Sequence, residues 1–171
     1  DPPGEGGSDP NADALEGLSA DHTLAVQSAN SLARLYTSLG RRDDARAIAE
    51  ELRVHCQEAF GPDHRLSLLA SFTLARILAQ DAAGDPNDAA LATRVQGMLW
   101  YVAEGRERVL GEHHPGTLSA KVLLAATLYD QGERERAVEL ADELVLAFRD
   151  ELGWDHPSAE SAVRRIGEML R

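Results

Sequence analysis

One five-residue pattern returns four times along this chain, and its spacing limits the fold more than any other feature. Leu18-Ser19-Ala20-Asp21-His22 recurs as Phe60-Gly61-Pro62-Asp63-His64, Leu110-Gly111-Glu112-His113-His114 and Leu152-Gly153-Trp154-Asp155-His156. The histidines are 42, 50 and 42 residues apart. A period of this size marks a stack of one supersecondary unit, because a single unit cannot bury its own apolar face.

Between the loops the pattern is helical. Leu24, Ala25, Ser28, Ala29, Leu32, Leu35, Tyr36 and Leu39 recur at three- and four-residue intervals from Thr23 onward. Gly40 supplies a stop, and Asp43 or Asp44 is expected to cap a second helix with Ala45, Ile48, Ala49, Leu52, Cys56 and Phe60 on its buried side. Adding 42 or 92 carries Leu32-Ala33 onto Leu74-Ala75 and Leu124-Ala125, and adding 92 carries Ala45, Ile48, Ala49 and Leu52 onto Ala137, Leu140, Ala141 and Leu144. The expected fold is all-α, a right-handed helical-hairpin solenoid of three helix pairs plus a C-terminal capping helix. The repeats fall at about 18–60, 61–110 and 111–152, with the cap at 153–171. Residues 1–17, which begin with a Pro-, Gly- and acid-rich stretch, read as a flexible acidic tail or linker, although 13–18 also suit the end of an earlier helix.

Together the Leu-Gly-x-Asp-His-Pro loop, the Leu-Ala step, the following Gly and the Ala and Leu of the second helix resemble the 42-residue tetratricopeptide repeat of kinesin light chains. The resemblance covers residues 18–171. It implies a helix-pair solenoid without catalytic residues, which binds peptides on a concave side lined by the first helix of each repeat. Similar arrays in bacterial multidomain signalling proteins imply a sensor or docking segment behind an ATPase or regulator. Kinesin light chains carry paired asparagines before the Leu-Ala step. The equivalent pairs here are Asn30-Ser31, Phe72-Thr73, Val122-Leu123 and Arg164-Arg165, of which only Asn30 keeps the type.

Composition narrows the partners. With 29 acidic and 17 basic residues the formal charge is −12, a field that repels nucleic acid and anionic membrane surfaces. Cys56 is the only cysteine, which excludes an internal disulfide and fits a reducing, cytoplasmic setting. No apolar run approaches the length of a membrane span. The sequence starts at Asp1 without a Met, which suggests a piece of a longer polypeptide.

No catalytic constellation emerges: there is no Gly-x-Ser-x-Gly elbow and no Gly-rich phosphate loop. His113-His114 beside Glu112 invites a metal, but the repeat spreads His22, His64, His114 and His156 over successive loops. There they suit loop packing and helix-start capping better than the three or four converging ligands zinc requires. Cys56 aligns with Phe148, a core position, so it reads as an inert thiol. No cofactor is expected.

Counted from the Leu-Ala steps, the inward positions form the expected peptide groove: Gln27, Asn30 and Arg34, then Leu69, Phe72 and Arg76, then Ser119, Val122 and Ala126. Thr37, Gln80 and Asp130 extend the three rows. Arg34 and Arg76, 42 residues apart, are expected on adjacent rungs as a site for carboxylates or acidic peptide, or else as ordinary solvated arginines. Leu69 and Phe72 suit an apolar anchor or simple packing between repeats.

Repeat two is eight residues longer than its neighbours, with the excess within 81–92. Gly84, Asp85 and Pro86 suggest a helix stop, a cap and a new start from about Pro86, with the first two turns of the second helix projecting past their neighbours. That extension is either extra cover for the middle of the array or a contact point for a partner. The expected function is a non-enzymatic interaction module for a protein or peptide. The alternative is a regulatory sensor or self-association segment of a larger ATPase or transcription-regulator-type protein, its partner an upstream domain or a second copy.

Overall fold

A computed structural model describes residues 10–85 and 88–152, together with Arg164 and Gly167, both helical. Six helices follow in order: α1 Pro10–Ser38, α2 Arg42–Phe60, α3 Arg65–Gly84, α4 Ala89–Leu110, α5 Pro115–Asp130 and α6 Arg134–Leu152. There is no strand among the described residues. Each helix packs on the next, and the odd-numbered helices also touch, α1 on α3 and α3 on α5. Three hairpins therefore stack with their first helices side by side, as the repeat spacing requires. The expected capping helix, and with it His156, lies outside the described residues apart from those two positions.

The repeat register explains the core. Ala33, Ala75 and Ala125 are fully buried, as are Ala45, Val95 and Ala137 in the second helices. Small residues at these aligned positions let the axes approach, while Leu74, Leu78, Leu99, Leu124 and Leu128 fill the space between layers. The approach is especially close where α4 crosses α3. A Cβ on Gly105 would lie 2.6 Å from a Leu68 methyl, so only glycine fits there without repacking.

Between hairpins, three devices turn the chain. Gly61 and Gly111 end α2 and α4 with φ of 85° and 97°, a region that costs other residues a Cβ clash. His64 and His114 then cap α3 and α5, each Nδ1 accepting an amide hydrogen, from Leu66 at 3.2 Å and from Gly116 at 2.9 Å. Finally Ser67 and Thr117, both buried, donate from their hydroxyls back to the carbonyls of Gly61 and Gly111. The recurring histidine is thus a helix cap and its neighbouring hydroxyl a clamp.

The first copy of the loop lacks these devices. Ser19 stands where Gly61 and Gly111 turn the chain, and Ala25 stands where Ser67 and Thr117 clamp it. Accordingly α1 runs without a break from Pro10 through His22 to Ser38, and residues 10–17, expected as part of a tail, are helical. Residues 1–9 of that tail lie outside the described residues.

Two capping expectations need correction. Arg41, not Asp43 or Asp44, occupies the N-cap of α2, without a side-chain cap bond. The reason is the tight closure of α1, where the amides of Gly40 and Arg41 bond to the carbonyls of Thr37 and Tyr36 and leave no residue to spare. The two aspartates sit in the first turn, where the helix dipole favours acid, and Asp44 pairs with Arg41 Nε at 2.8 Å. Similarly, α4 starts at Ala89 rather than near Pro86. Asp88 is its cap, accepting the Leu91 amide at 2.9 Å, and Asp85 closes α3 instead.

Seven of the eight extra residues of repeat two go into its two helices. α3 has 20 residues against 16 in α5, and α4 has 22 against 19 in α6. The extension of α4 is tied down rather than projecting: Gln131 Nε2 donates to the Ala92 carbonyl at 2.8 Å and Leu91 packs against the core. Pro86 and Asn87 lie outside the described residues.

Candidate peptide-binding face

With the odd helices side by side, the positions expected to line the groove form three aligned rows, and the structure treats them unequally. On α1, Gln27 and Arg34 are exposed while Asn30 is half-buried. The Asn30 carboxamide oxygen accepts a hydrogen bond from Thr73 Oγ1, so the one asparagine that matches the kinesin light chain pattern ties α1 to α3. On α3, Leu69, Phe72 and Arg76 are all half-buried. On α5, Ser119 is exposed and bonds to the Pro115 carbonyl, and Ala126 is half-buried.

Val122 is a correction. At 7% exposure it belongs to the core, packed with Leu118, Ala141, Leu144 and Phe148. Phe148 stands where α2 carries Cys56, and its large ring completes the burial of Val122, whereas the same register leaves Asn30 and Phe72 half-buried on α1 and α3.

Phe72 is also largely spoken for. It packs on Val102, Ala103 and Ala120, and the Arg106 guanidinium lies over its ring at 4.2 Å from the centroid. Arg106 is 6% exposed and donates from Nη1 to the Gly116 carbonyl at 2.6 Å. Burial pulls its pKa down to about 10, which still leaves it charged at neutral pH. It holds the start of α5 against α3 and α4, through a cation–π contact and a charge-assisted hydrogen bond. Sequence reasoning missed it. The available signal was the repeat register, which aligns Arg106 with Cys56 and Phe148, two residues already assigned to the core.

Cys56 is fully buried and burial pushes its thiol pKa up, which leaves it a poor nucleophile. Among the described residues no group of three His, Cys, Asp or Glu side chains is placed to hold a metal ion. No described helix is long and apolar enough to cross a membrane.

The lengthened repeat builds a feature the sequence did not announce. A cavity of about 330 Å³ opens where the ends of α3 and α5 meet the start of α4, lined by Ala79, Ala82, Ala92, Thr93, Thr127 and Asp130 among others. Burial raises the Asp130 carboxyl above its ordinary pKa. Polar contacts tie the same helices together: Gln96 and Glu133 join at 2.9 Å, and Asp81 pairs with Arg46 and, at 3.8 Å, with Arg42. The first joins α4 to the α5–α6 turn and the others join α2 to α3.

A tetratricopeptide repeat family model matches residues 26–66 and 117–158, each match beginning within the first helix of a hairpin and extending past the second. Two crystal structures of a Podosopora anserina putative kinesin light chain with nearly identical repeats, one of them a point variant, are each 20% identical to this chain. Each alignment covers 85% of both chains, with TM-scores of 0.38 for the variant and 0.37 for the other. A search of curated proteins found no match. Repeats of this family form a non-enzymatic scaffold for protein–protein interaction. Residues 26–66 and 117–158 are thus matched as tetratricopeptide repeats, and the repeat register and hairpin stacking carry the same all-α repeat architecture across the segment between them.

Proposed function

We propose that the aligned faces of α1 and α3 bind an extended peptide or protein segment. The observation that carries this reading is that Arg34 and Arg76 hold equivalent positions on the adjacent helices α1 and α3, in a chain of net charge −12. A local pair of guanidinium groups against so negative a background selects carboxylates by bidentate hydrogen bonding. Gln27 and Leu69 supply a polar and an apolar contact beside them. Ser119 and Ala126 extend the row onto α5, whereas Phe72 and Val122 support the wall from behind. A cytoplasmic setting belongs to the same reading, since the single thiol is buried and no disulfide is available.

The test is the double change Arg34→Glu and Arg76→Glu, with fluorescence anisotropy against acidic, neutral and basic peptide panels and pull-down of the natural partner. Acidic peptides should lose binding about tenfold or more, the effect of losing one to two charge-assisted hydrogen bonds. Unchanged binding to the double variant removes this face from the account. The second reading is a regulatory or self-association segment of a larger signalling protein. The exposure of Leu24, Leu32 and Leu35 on α1 favours it, because it leaves an apolar edge at one end of the stack.

A further inference from the structure

We propose that two copies of this chain pair through the outer edge of α1, antiparallel, about a two-fold axis near Ser28. This deepens the self-association reading and shares Gln27 alone with the proposed peptide face. The internal repeats show what the edge is built for. On α3 the matching positions are Leu66, Ala70, Leu74 and Ile77, none more than 4% exposed, and α2 covers them with Ala49, Leu52 and Cys56. On α1 the same register reads Leu24, Ser28, Leu32 and Leu35, with the leucines 62%, 42% and 53% exposed. No described helix precedes α1 to cover them. Among the described residues the stacking interface thus continues onto a face without a neighbour, and exposed leucines in a row mark an association surface.

Two features select a second copy as the occupant. Residues 23–33 carry no charged side chain, in a chain with 27% charged residues, so two copies of net charge −12 meet there without setting like charges opposite. The spacing is also self-complementary. Leu24 and Leu32 lie four residues either side of Ser28, so an antiparallel partner sets each Leu24 against the other Leu32, with small serines at the crossing. The face already forms a shallow depression of about 470 Å³, lined by Leu24, Gln27, Ser28, Ser31, Leu32 and Leu35. An isologous contact of this kind closes at two copies, whereas head-to-tail stacking would grow without limit. Gln27 borders both surfaces, but Asn30 and Arg34 point about a third of a turn away, so the arginine variants test the peptide face and the leucine variants test this edge.

Sedimentation velocity of the intact chain over a concentration series is the test. The chain is expected at twice the mass of one copy, and the Leu24→Glu plus Leu32→Glu variant at the mass of one, with its helical circular dichroism unchanged. In a Cys56→Ala background, Ser28→Cys should oxidise to a cross-linked dimer and Val54→Cys, on the exposed side of α2, should not. A wild-type chain that stays monomeric throughout the series overturns the proposal and gives the edge to a different helix. A variant that remains dimeric overturns it too, as does a mass that climbs beyond two copies or a Ser28→Cys chain that does not cross-link.

Discussion

α1 and α3 are the same helix written twice, 42 residues apart, yet they meet different surroundings. α3 starts sharply behind a left-handed glycine, a histidine cap and a serine clamp, and is covered on both flanks by neighbouring hairpins. α1 runs straight through its own copy of that loop and leaves a row of leucines in solvent. The lesson is that the recurring histidine does not by itself make a turn. Asp21-His22 and Asp63-His64 are alike, and what separates them is the glycine before and the hydroxyl after. The same reasoning separates composition from role: a leucine at one register position is core in α3 and exposed in α1.

The largest expected contrast lies between the paired leucines. Leu74→Ala removes a fully buried side chain and should cost about 2–5 kcal/mol in a urea titration. Leu32→Ala, at 42% exposure in the same register, should cost less than about 1 kcal/mol when measured in dilute solution. Equal costs would mean that α1 is covered within a single copy and that the comparison fails.

A smaller contrast separates the histidines. His64 caps α3 and stacks on Phe60 at 4.9 Å, so His64→Ala should lower stability by about 1 kcal/mol, with His64→Asn recovering most of it. His22 lies inside α1 rather than at a helix start, and meets Phe60 edge-on at 6.0 Å. His22→Ala should therefore move the melting temperature far less. If His22→Ala proves as costly as His64→Ala, capping is not what the recurring histidine supplies.

How much of this was legible follows the same line. The repeat register can be read from the letters because small and branched residues must recur where axes cross, and Ala33, Ala75 and Ala125 are buried alike. What the letters hide is context. Whether the loop at Ser19 stops a helix depends on a left-handed residue and a clamp, and neither is present there. Asp85 and Asp88 are equally good caps by type, and the lengthening of α3 decided between them. Val122 looked inward by register and is core because Phe148 reaches it. The cavity beside Asp130 depends on where three helix ends meet, which no local pattern records.

The smallest predicted effect is electrostatic. Burial raises the Asp130 pKa in the folded chain, so the folded state binds its proton more tightly than the unfolded chain does. This group's contribution is most favourable below the ordinary carboxylate pKa and declines as pH rises through the raised value. Asp130→Asn should therefore raise the melting temperature slightly at neutral pH, with the gain shrinking as pH falls toward about 4. A gain that grows with acidification contradicts the sign.

The central claim is that the open edge of α1 is an interface, whereas the same register of α3 is core. Amide hydrogen exchange across a concentration series tests it most directly, because it reads the two helices in one experiment. Protection over residues 24–35 should increase with protein concentration, by about tenfold or more between dilute and concentrated samples, because association stabilises by mass action. Residues 66–77 should stay unchanged. If residues 24–35 exchange at the same rate at every concentration, the edge is ordinary surface and the account is contradicted.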